Sequence, residues 1–247
     1  MSFVSEDFAL YGLPNKKYIA QNAVPEDKKK LLTTGAILIY SYAFQGWTPQ
    51  TLQINPLELA PDYLLAEFWH THNREEAEWQ IDGLITVGGS GWAGESETES
   101  REQVDGRLRQ YAAGDKTALS GEEAQMLDEM TEWMIGFKWL KTRIQRTDME
   151  RIDTTLAWDV ERAAFVGRLA YNSGYYAEAE VWELLARTRS QAEANFESWM
   201  EYAISFMKGI SIAKNDADFT VLCGLWDKVG ELTERRWGDV WAWSPLK

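Results

Sequence analysis

The sequence predicts an all-α fold, with a single multi-helix domain and a tryptophan-rich core over residues 1–247. Three observations predict this fold. Apolar residues recur at helical spacing along most of the chain, no alternating segments flank an Asn-Gly or Asp-Gly turn, and no Pro-, Gly- or Ser-rich linker divides the chain. Apolar residues make up 45% of the chain and include 13 tryptophans, which suffices for a core without covalent cross-links.

The N-terminal part, residues 1–115, is predicted to be more irregular than the rest. Pro25 suits the first turn of a helix that reaches about residue 44. Three prolines, at positions 49, 56 and 61, then indicate an irregular stretch that contains one short helix at about residues 62–70.

Two further helices are expected before residue 115. Asn73 and Glu76 have the spacing of a capping box, and the helix that they open ends at the glycine-rich loop of residues 88–94. This loop lacks the Gly-Lys-Ser/Thr continuation of a phosphate-binding loop, so we interpret it as a turn or a lid. Residues 101–113 are predicted to form a polar helix.

The stronger helix signals lie in residues 120–247. Ser120 and Glu123 form a capping box, and the helix that they open is expected to reach about Arg146. Further helices are predicted to begin near Thr155, after Gly174, at Ser198, and at Asp216 or Asp218.

Charge and composition exclude several classes of protein. The net charge of −14 and the pI near 4.7 argue against a nucleic-acid binder, which needs a basic surface. No apolar segment reaches the ~20 residues that cross a bilayer, so no membrane span is expected. The single cysteine, Cys223, cannot form an intramolecular disulfide, and the N-terminus lacks an apolar targeting segment. Together these features favour a cytoplasmic location.

Negative charge is concentrated in residues 95–132, which contain eleven acidic and four basic residues. Their net charge of −7 is half that of the whole chain, and such a field speeds association with a cationic partner. The first hypothesis is therefore a non-enzymatic protein that binds a basic protein partner, such as an immunity protein that neutralises a toxin. The expected partner-binding residues are Trp92, Glu95, Glu97, Glu99, Glu102, Asp105, Glu122 and Glu123.

The sequence offers few metal ligands. His70 and His72 are the only histidines, and at i and i+2 on a helix they would point to different faces. Cys223 lies on an apolar helical stripe and is expected to be buried and inert. We therefore predict that the protein binds no metal and no cofactor.

The second hypothesis is an enzyme with its site around Asp159, Arg162 and Glu178. Asp159 and Arg162 stand three residues apart, which lets them pair on one helix face. Acid–base chemistry would need carboxylates that face each other across a cleft, and a helical period alone does not place them so.

The segment around these residues resembles a bacterial family, the domain of unknown function 1266. The resemblance rests on the Trp-Asp pair at 158–159 with Arg162, on the Gly-Tyr pair at 174–175, and on an acidic stretch that ends at Trp182. A second motif is Phe196-x-Ser198-Trp199-x-Glu201-Tyr202. The likeness covers about residues 31–247 and is strongest at 157–202, and the family core is placed at about 120–247.

The resemblance implies a largely helical, intracellular bacterial protein, and it supplies no reaction. A third hypothesis is therefore a scaffold or regulator without a toxin link. The chain has Gly209-Ile210 where the family usually has Gly-Arg. The shared residues are expected to join the helices of the C-terminal half to each other: Trp158, Asp159, Arg162, Tyr175, Trp182, Ser198 and Trp199.

Overall fold

A computed structural model gives the structure of the protein. It describes residues 16–42, 47–54, 60–88, 99–136, 138–139, 142–213 and 219–232, together with Trp241 and Leu246. Helices account for 72% of these residues, which confirms the predicted all-α class. No helix in these ranges combines the length and the apolar character that crossing a membrane requires.

The first half of the chain forms short helices followed by longer ones. They are α1 (Lys16–Gln21), α2 (Glu26–Lys29), a 3-10 turn (Lys30–Thr33), α3 (Ala36–Ser41), α4 (Pro61–Trp69), α5 (Arg74–Thr86) and α6 (Arg101–Ala112). The side chain of Asn73 accepts a hydrogen bond from the backbone N–H of Glu76, which explains why α5 begins where it does.

The second half begins with α7 (Gly121–Met134) and a two-stranded antiparallel ribbon. The ribbon joins β1 (Lys138–Trp139) to β2 (Thr142–Arg143), with Lys138 opposite Arg143. The remaining helices are α8 (Arg146–Arg151), α9 (Leu156–Asn172), α10 (Glu178–Asn195), α11 (Trp199–Ala213) and α12 (Phe219–Glu231).

Helix α9 is the centre of the fold. Every residue from Leu156 to Ala170 is buried, because α3, α4, α5, α10 and α11 all pack against it. Its small residues make this possible, since alanine and glycine on several faces let neighbouring helices approach closely.

Helix α11 lies close against α9 at Gly209. A Cβ atom added at Gly209 would lie 2.3 Å from the Cβ atom of Trp158, too close for any side chain. The tryptophan ring packs edge-on against Phe206, with the ring centroids 5.5 Å apart. Glycine at position 209 therefore sets how closely α11 lies on α9.

Tryptophans form much of the core, as the sequence predicts. Trp199 stacks on Trp241, with centroids 4.9 Å apart and an interplanar angle of 4°. The indole N–H of Trp241 donates to the carbonyl oxygen of Thr33, which ties the C-terminal end of the chain to the N-terminal half. The buried tryptophans of the described ranges are Trp47, Trp69, Trp158, Trp182, Trp199, Trp226 and Trp241.

Two predicted helix boundaries are wrong. The helix expected from Pro25 to residue 44 breaks at Gly35, whose φ of +75° is left-handed, and α3 begins after it. The helix expected to reach Arg146 stops at Met134, because the chain turns at Gly136 (φ +84°) into the β1–β2 ribbon.

Candidate functional site

Helix α7 is the framework of the candidate partner-binding face. Its capping box forms as predicted, because the Ser120 hydroxyl accepts from the backbone N–H of Glu123 and the Glu123 carboxylate accepts from that of Ser120. The packed side of the helix carries Leu127, Met130 and Met134, all buried, and faces α11 and α12. Its other side is therefore the one left to solvent.

Four of the exposed residues of α7 are acidic. Glu122, Asp128, Glu129 and Glu132 are exposed there, and we call these four residues the acidic stripe. The sequence of the helix contains no lysine or arginine. The stripe thus presents four negative charges without an opposing charge on the same helix.

The stripe has three described side-chain contacts, one of them within α7, where the Gln125 amide donates to Glu129 at 2.8 Å. Asp128 accepts a hydrogen bond from the Tyr111 hydroxyl at 2.8 Å, and Glu132 pairs with Arg146. These contacts are exposed or at the surface, where an ion pair contributes only about 0–1 kcal/mol. The carboxylates therefore remain accessible to a partner.

Arg107 neutralises two of the acidic residues expected to bind a partner. Its guanidinium pairs with Glu99 and, at 2.8 Å, with Glu123. Burial raises the pKa of Glu123, but the bonds from Arg107 and Ser120 outweigh it and hold the pKa below its usual range. Glu99 and Glu123 are therefore committed to a contact within the protein.

Asp105, another expected partner-binding residue, is not on the surface. It is buried, and its carboxylate accepts from the Thr154 hydroxyl at 2.8 Å and from the backbone N–H of Thr155 at 2.7 Å. It fixes the entry into α9 rather than facing solvent. Glu102 is exposed on α6, whereas Trp92, Glu95 and Glu97 lie outside the described residues.

Asp159 and Arg162 form a buried ion pair, as their spacing predicts. The Asp159 carboxylate accepts from Arg162 Nη2 at 2.5 Å and from Arg101 Nη1 at 3.0 Å. The Arg162 guanidinium also lies over the ring of Trp158. Burial raises the pKa of Asp159, and the two arginines oppose that shift.

The backbone closes over this ion pair at Gly88. Gly88 has a φ of +61°, and a Cβ atom there would lie 2.0 Å from Asp159 Oδ2. Only glycine fits between the carboxylate and the chain at this point. The carboxylate is thus enclosed by the protein rather than presented to a substrate.

Glu178 does not join Asp159. It lies at the start of α10, beyond the far end of α9, and thirteen residues of helix at ~1.5 Å each separate Asp159 from that end by about 20 Å. Glu178 instead accepts a hydrogen bond from the indole N–H of Trp182 at 2.9 Å. The three residues of the enzyme hypothesis therefore do not form one site.

Sequence reasoning missed two further buried charges on α9. Glu161 accepts from the backbone N–H groups of Gly35 and Ile37 and from the Tyr202 hydroxyl, at 2.9 to 3.1 Å. Burial raises its pKa to about 7. Arg168 donates to the carbonyl oxygens of Thr48 and Thr51, and burial lowers its pKa to about 9.

A signal for these buried charges is present in the sequence. Small or apolar residues occur on every face of α9, which is typical of a helix that is surrounded by protein. On such a helix any charged residue must be paired inside the protein. Both charges bond to groups on neighbouring segments of the chain and so position α9.

Two of the motif residues reach beyond the C-terminal half. The Tyr175 hydroxyl donates to the carbonyl oxygen of His72 at 2.9 Å, and Lys28 lies over the ring of Trp182. These contacts add to the expected packing among C-terminal helices, since α10 also packs on the 3-10 turn of the N-terminal half. Ser198 and Trp199 remain within the C-terminal half, where the Ser198 hydroxyl caps α11.

The two histidines occupy a tight connection between α4 and α5. His70 has a φ of +48° and ends α4, and the backbone N–H of His72 donates to Glu76. Among the described residues no group of three or more His, Cys, Asp or Glu side chains is arranged to hold a metal ion. Cys223 is partly buried, less enclosed than its apolar stripe predicts.

Comparison with known proteins gives one match. A family model described as "Protein of unknown function (DUF1266)" matches residues 64–239, which agrees with the resemblance seen in the sequence. The matched span begins within α4 and ends after α12, so it contains the acidic stripe and all of α9. No curated protein and no solved structure matches the chain.

Proposed function

The chain belongs to the DUF1266 family of proteins of unknown function, and from this premise we propose that it is a non-enzymatic protein that binds a basic protein partner through the acidic stripe. The observation that carries the proposal is the exposed side of α7, with four carboxylates and no basic residue. A surface of one sign steers an oppositely charged partner and increases the association rate.

The arrangement of the buried charges supports a role without catalysis. Asp159 is held between two arginines inside the protein, and Glu161 anchors the start of α3. Glu178 lies about 20 Å from Asp159 along the helices. These groups serve the packing of α9, so the enzyme hypothesis has no geometric support from them.

The finer proposal is an immunity protein that neutralises a basic toxin in the cytoplasm of a bacterium. The concentration of acidic charge supports a cationic target, and the single cysteine supports a reducing compartment. A scaffold or regulator that binds a basic protein without a toxin link is the alternative within the same class.

The binding proposal is tested with a charge-reversed variant and a matched control. The test variant replaces the four stripe residues by lysine, and the control makes the same four changes at exposed carboxylates on other helices: Asp27, Asp62, Glu67 and Glu150. Both variants change the net charge by the same amount, so only the location differs.

Proteins captured from the native host are compared between the wild-type chain and the two variants. We expect a basic partner that the wild type and the control retain and the stripe variant loses. We also expect its association rate to fall steeply as the salt concentration rises above about 0.15 M, where charges are screened over ~8 Å. Equal capture by both variants would contradict the proposal.

The immunity proposal is tested by co-expression with a toxin encoded beside the gene. The wild type should protect the cell, and the stripe variant should not. Binding of a basic partner without protection from any neighbouring toxin would contradict the immunity role and favour the scaffold or regulator role.

A further inference from the structure

A groove of about 310 Å³ opens between α5 and α10. Both helices pack on α9, whereas the acidic stripe belongs to α7, which packs on α11 and α12. The groove therefore belongs to another part of the molecule and is not used by the proposed function.

Two ion pairs cross the groove and join its two walls. Arg74 on α5 pairs with Glu180 on α10 at 2.5 Å, and Arg187 on α10 pairs with Asp82 on α5 at 3.1 Å. Both helices also pack on α9, so the groove between them is part of the packed structure.

The groove has an apolar floor and an acidic lining. Ile81 and Leu184, both buried in the core, contribute the floor. Four carboxylates and two arginines line the walls: Glu78, Asp82, Glu180, Glu183, Arg74 and Arg187. The lining carries a net charge of −2, and Glu183 has no hydrogen-bond or ion-pair partner among the described residues.

Aromatic side chains extend the groove outward. Tyr176 lines it and lies near Arg74, with the guanidinium carbon 5.6 Å from the ring centroid. Trp79 is 73% exposed. It stands three residues before Asp82, so it shares that helix surface and extends an apolar contact beyond the groove.

We propose that the groove between α5 and α10 binds an arginine or lysine side chain presented by a segment of a partner protein. Such a side chain has an apolar stem and a cationic head. The stem matches the floor of Ile81 and Leu184, and the head matches the carboxylate of Glu183.

The position of Trp79 selects a protein segment over a free amine. A free amine fits within the groove and gains little from a ring that lies outside it. A peptide chain that continues past the groove covers the exposed indole, and tryptophan is the residue that most often anchors protein interfaces. An arginine neighbour on the segment could also stack on this ring.

The test uses a fluorescein-labelled octa-arginine peptide and the full chain at 150 mM NaCl, with fluorescence anisotropy as the readout. Two variants address the groove, Glu183→Gln and Trp79→Ala. The matched controls are Glu67→Gln on α4, which removes the same charge at an exposed position outside the groove and the stripe, and Phe68→Ala, which removes another exposed aromatic residue, 52% exposed in the wild type.

We expect each groove variant to weaken peptide binding at least fivefold and each control to change it less than twofold. All four residues are exposed, so circular dichroism should show an unchanged fold. Equal weakening by Glu183→Gln and Glu67→Gln would overturn the proposal, because the peptide would then be responding to net charge alone.

A second arm distinguishes the source of the cation. Spermine, a free polyamine, should compete only weakly with the peptide, and its own binding should be no stronger in the wild type than in the Trp79→Ala variant. If spermine binds as tightly as the peptide and Glu183→Gln abolishes this binding, the choice of a protein segment is overturned. No variant in either arm changes the acidic stripe, so failure of this test does not affect the proposed function.

Discussion

At the scale of single residues, the structure depends on charges that are buried and paired. Asp159 compensates the fully buried guanidinium of Arg162 and also binds Arg101, which is 21% exposed at its side chain. Removing one partner of a buried pair leaves the other charge in a poorly solvated place. Removing Asp159 would therefore leave the buried charge of Arg162 without this carboxylate.

Asp159→Ala should lower the free energy of unfolding by about 3–5 kcal/mol, measured by urea denaturation. Arg101→Ala serves as the control and should cost less, because Arg162 still pairs with Asp159 after the change. A stable Asp159→Ala protein that has lost a measurable activity would instead favour the enzyme hypothesis.

Glu161 should give the stability a distinct pH dependence. Its pKa rises from the usual 4.5 to about 7 in the folded protein, so between these values the folded chain holds a proton that the unfolded chain has released. Stability from this group is therefore present at low pH and lost as pH rises through the window.

The measurement compares wild type with Glu161→Gln, whose amide does not titrate. Between pH 4.5 and 7 the free energy of unfolding of the wild type should fall relative to the variant by roughly 2–3 kcal/mol. A difference that stays constant, or that grows in favour of the wild type as pH rises, would show that the carboxylate is ionised throughout.

At the scale of helices, the contact of α9 with α11 is governed by Gly209. Gly209→Ala should destabilise the protein by about 1–3 kcal/mol, because the added methyl group meets the Cβ atom of Trp158, which the backbone holds in place. Gly224→Ala in α12 is the matched control. Apart from the backbone of its own helix, no described atom lies within 4 Å of the added methyl there, so this change should be neutral or stabilise the helix by about 0.5–1 kcal/mol.

Thermal unfolding of the two glycine variants measures this difference. Equal stability of both would mean that α11 can shift on α9 without cost. The position is also where the chain carries Gly-Ile in place of the family's usual Gly-Arg, and the structure shows that the glycine is the part used in packing.

Helices that begin with a local signal are the ones that sequence predicts well. Ser120 with Glu123 and Asn73 with Glu76 set the starts of α7 and α5 through contacts three residues apart. Helix ends are less visible, because Gly35 could have been tolerated inside a longer helix. Its left-handed φ is favoured by the carboxylate of Glu161, 126 residues away, which accepts its N–H.

The same limit applies to the candidate site. The sequence correctly places Asp159 beside Arg162, since both lie on one helix. It wrongly predicts that Asp105 lies on the acidic surface. The partners of Asp105, Thr154 and Thr155, are about fifty residues away, and no helical period reveals them. Pairing across helices likewise explains why the groove with Glu183 was not foreseen.

At the scale of the whole molecule, the net charge of −14 acts against the compact state. Like charges are held closer together in the folded chain than in the unfolded one, and salt screens this repulsion. Raising NaCl from about 20 mM to about 500 mM should therefore raise the melting temperature by a few degrees, since ~1 kcal/mol corresponds to about 2–4 °C for a chain of this size.

A variant with the four stripe carboxylates changed to glutamine or asparagine is the control for this salt effect. It removes four negative charges from a chain of net charge −14, so its melting temperature should be higher at low salt and should rise less with salt. Differential scanning calorimetry gives both values. A melting temperature that falls with salt in the wild type would show that ion pairs outweigh repulsion.

The contact between the end of α5 and the start of α6, beside Asp159, bears on where the length of the chain can differ among relatives. The backbone N–H of Arg101 donates to the carbonyl oxygen of Val87 at 3.2 Å, so the chain leaves α5 and enters α6 at nearly the same point. Once two ends are joined in this way, doubling the length between them costs only about 0.6 kcal/mol. We therefore expect a change in the number of residues between positions 88 and 99 to leave both helices in place. Insertions and deletions in the evolution of the family should accumulate there, and a reporter sequence could be spliced into the same position.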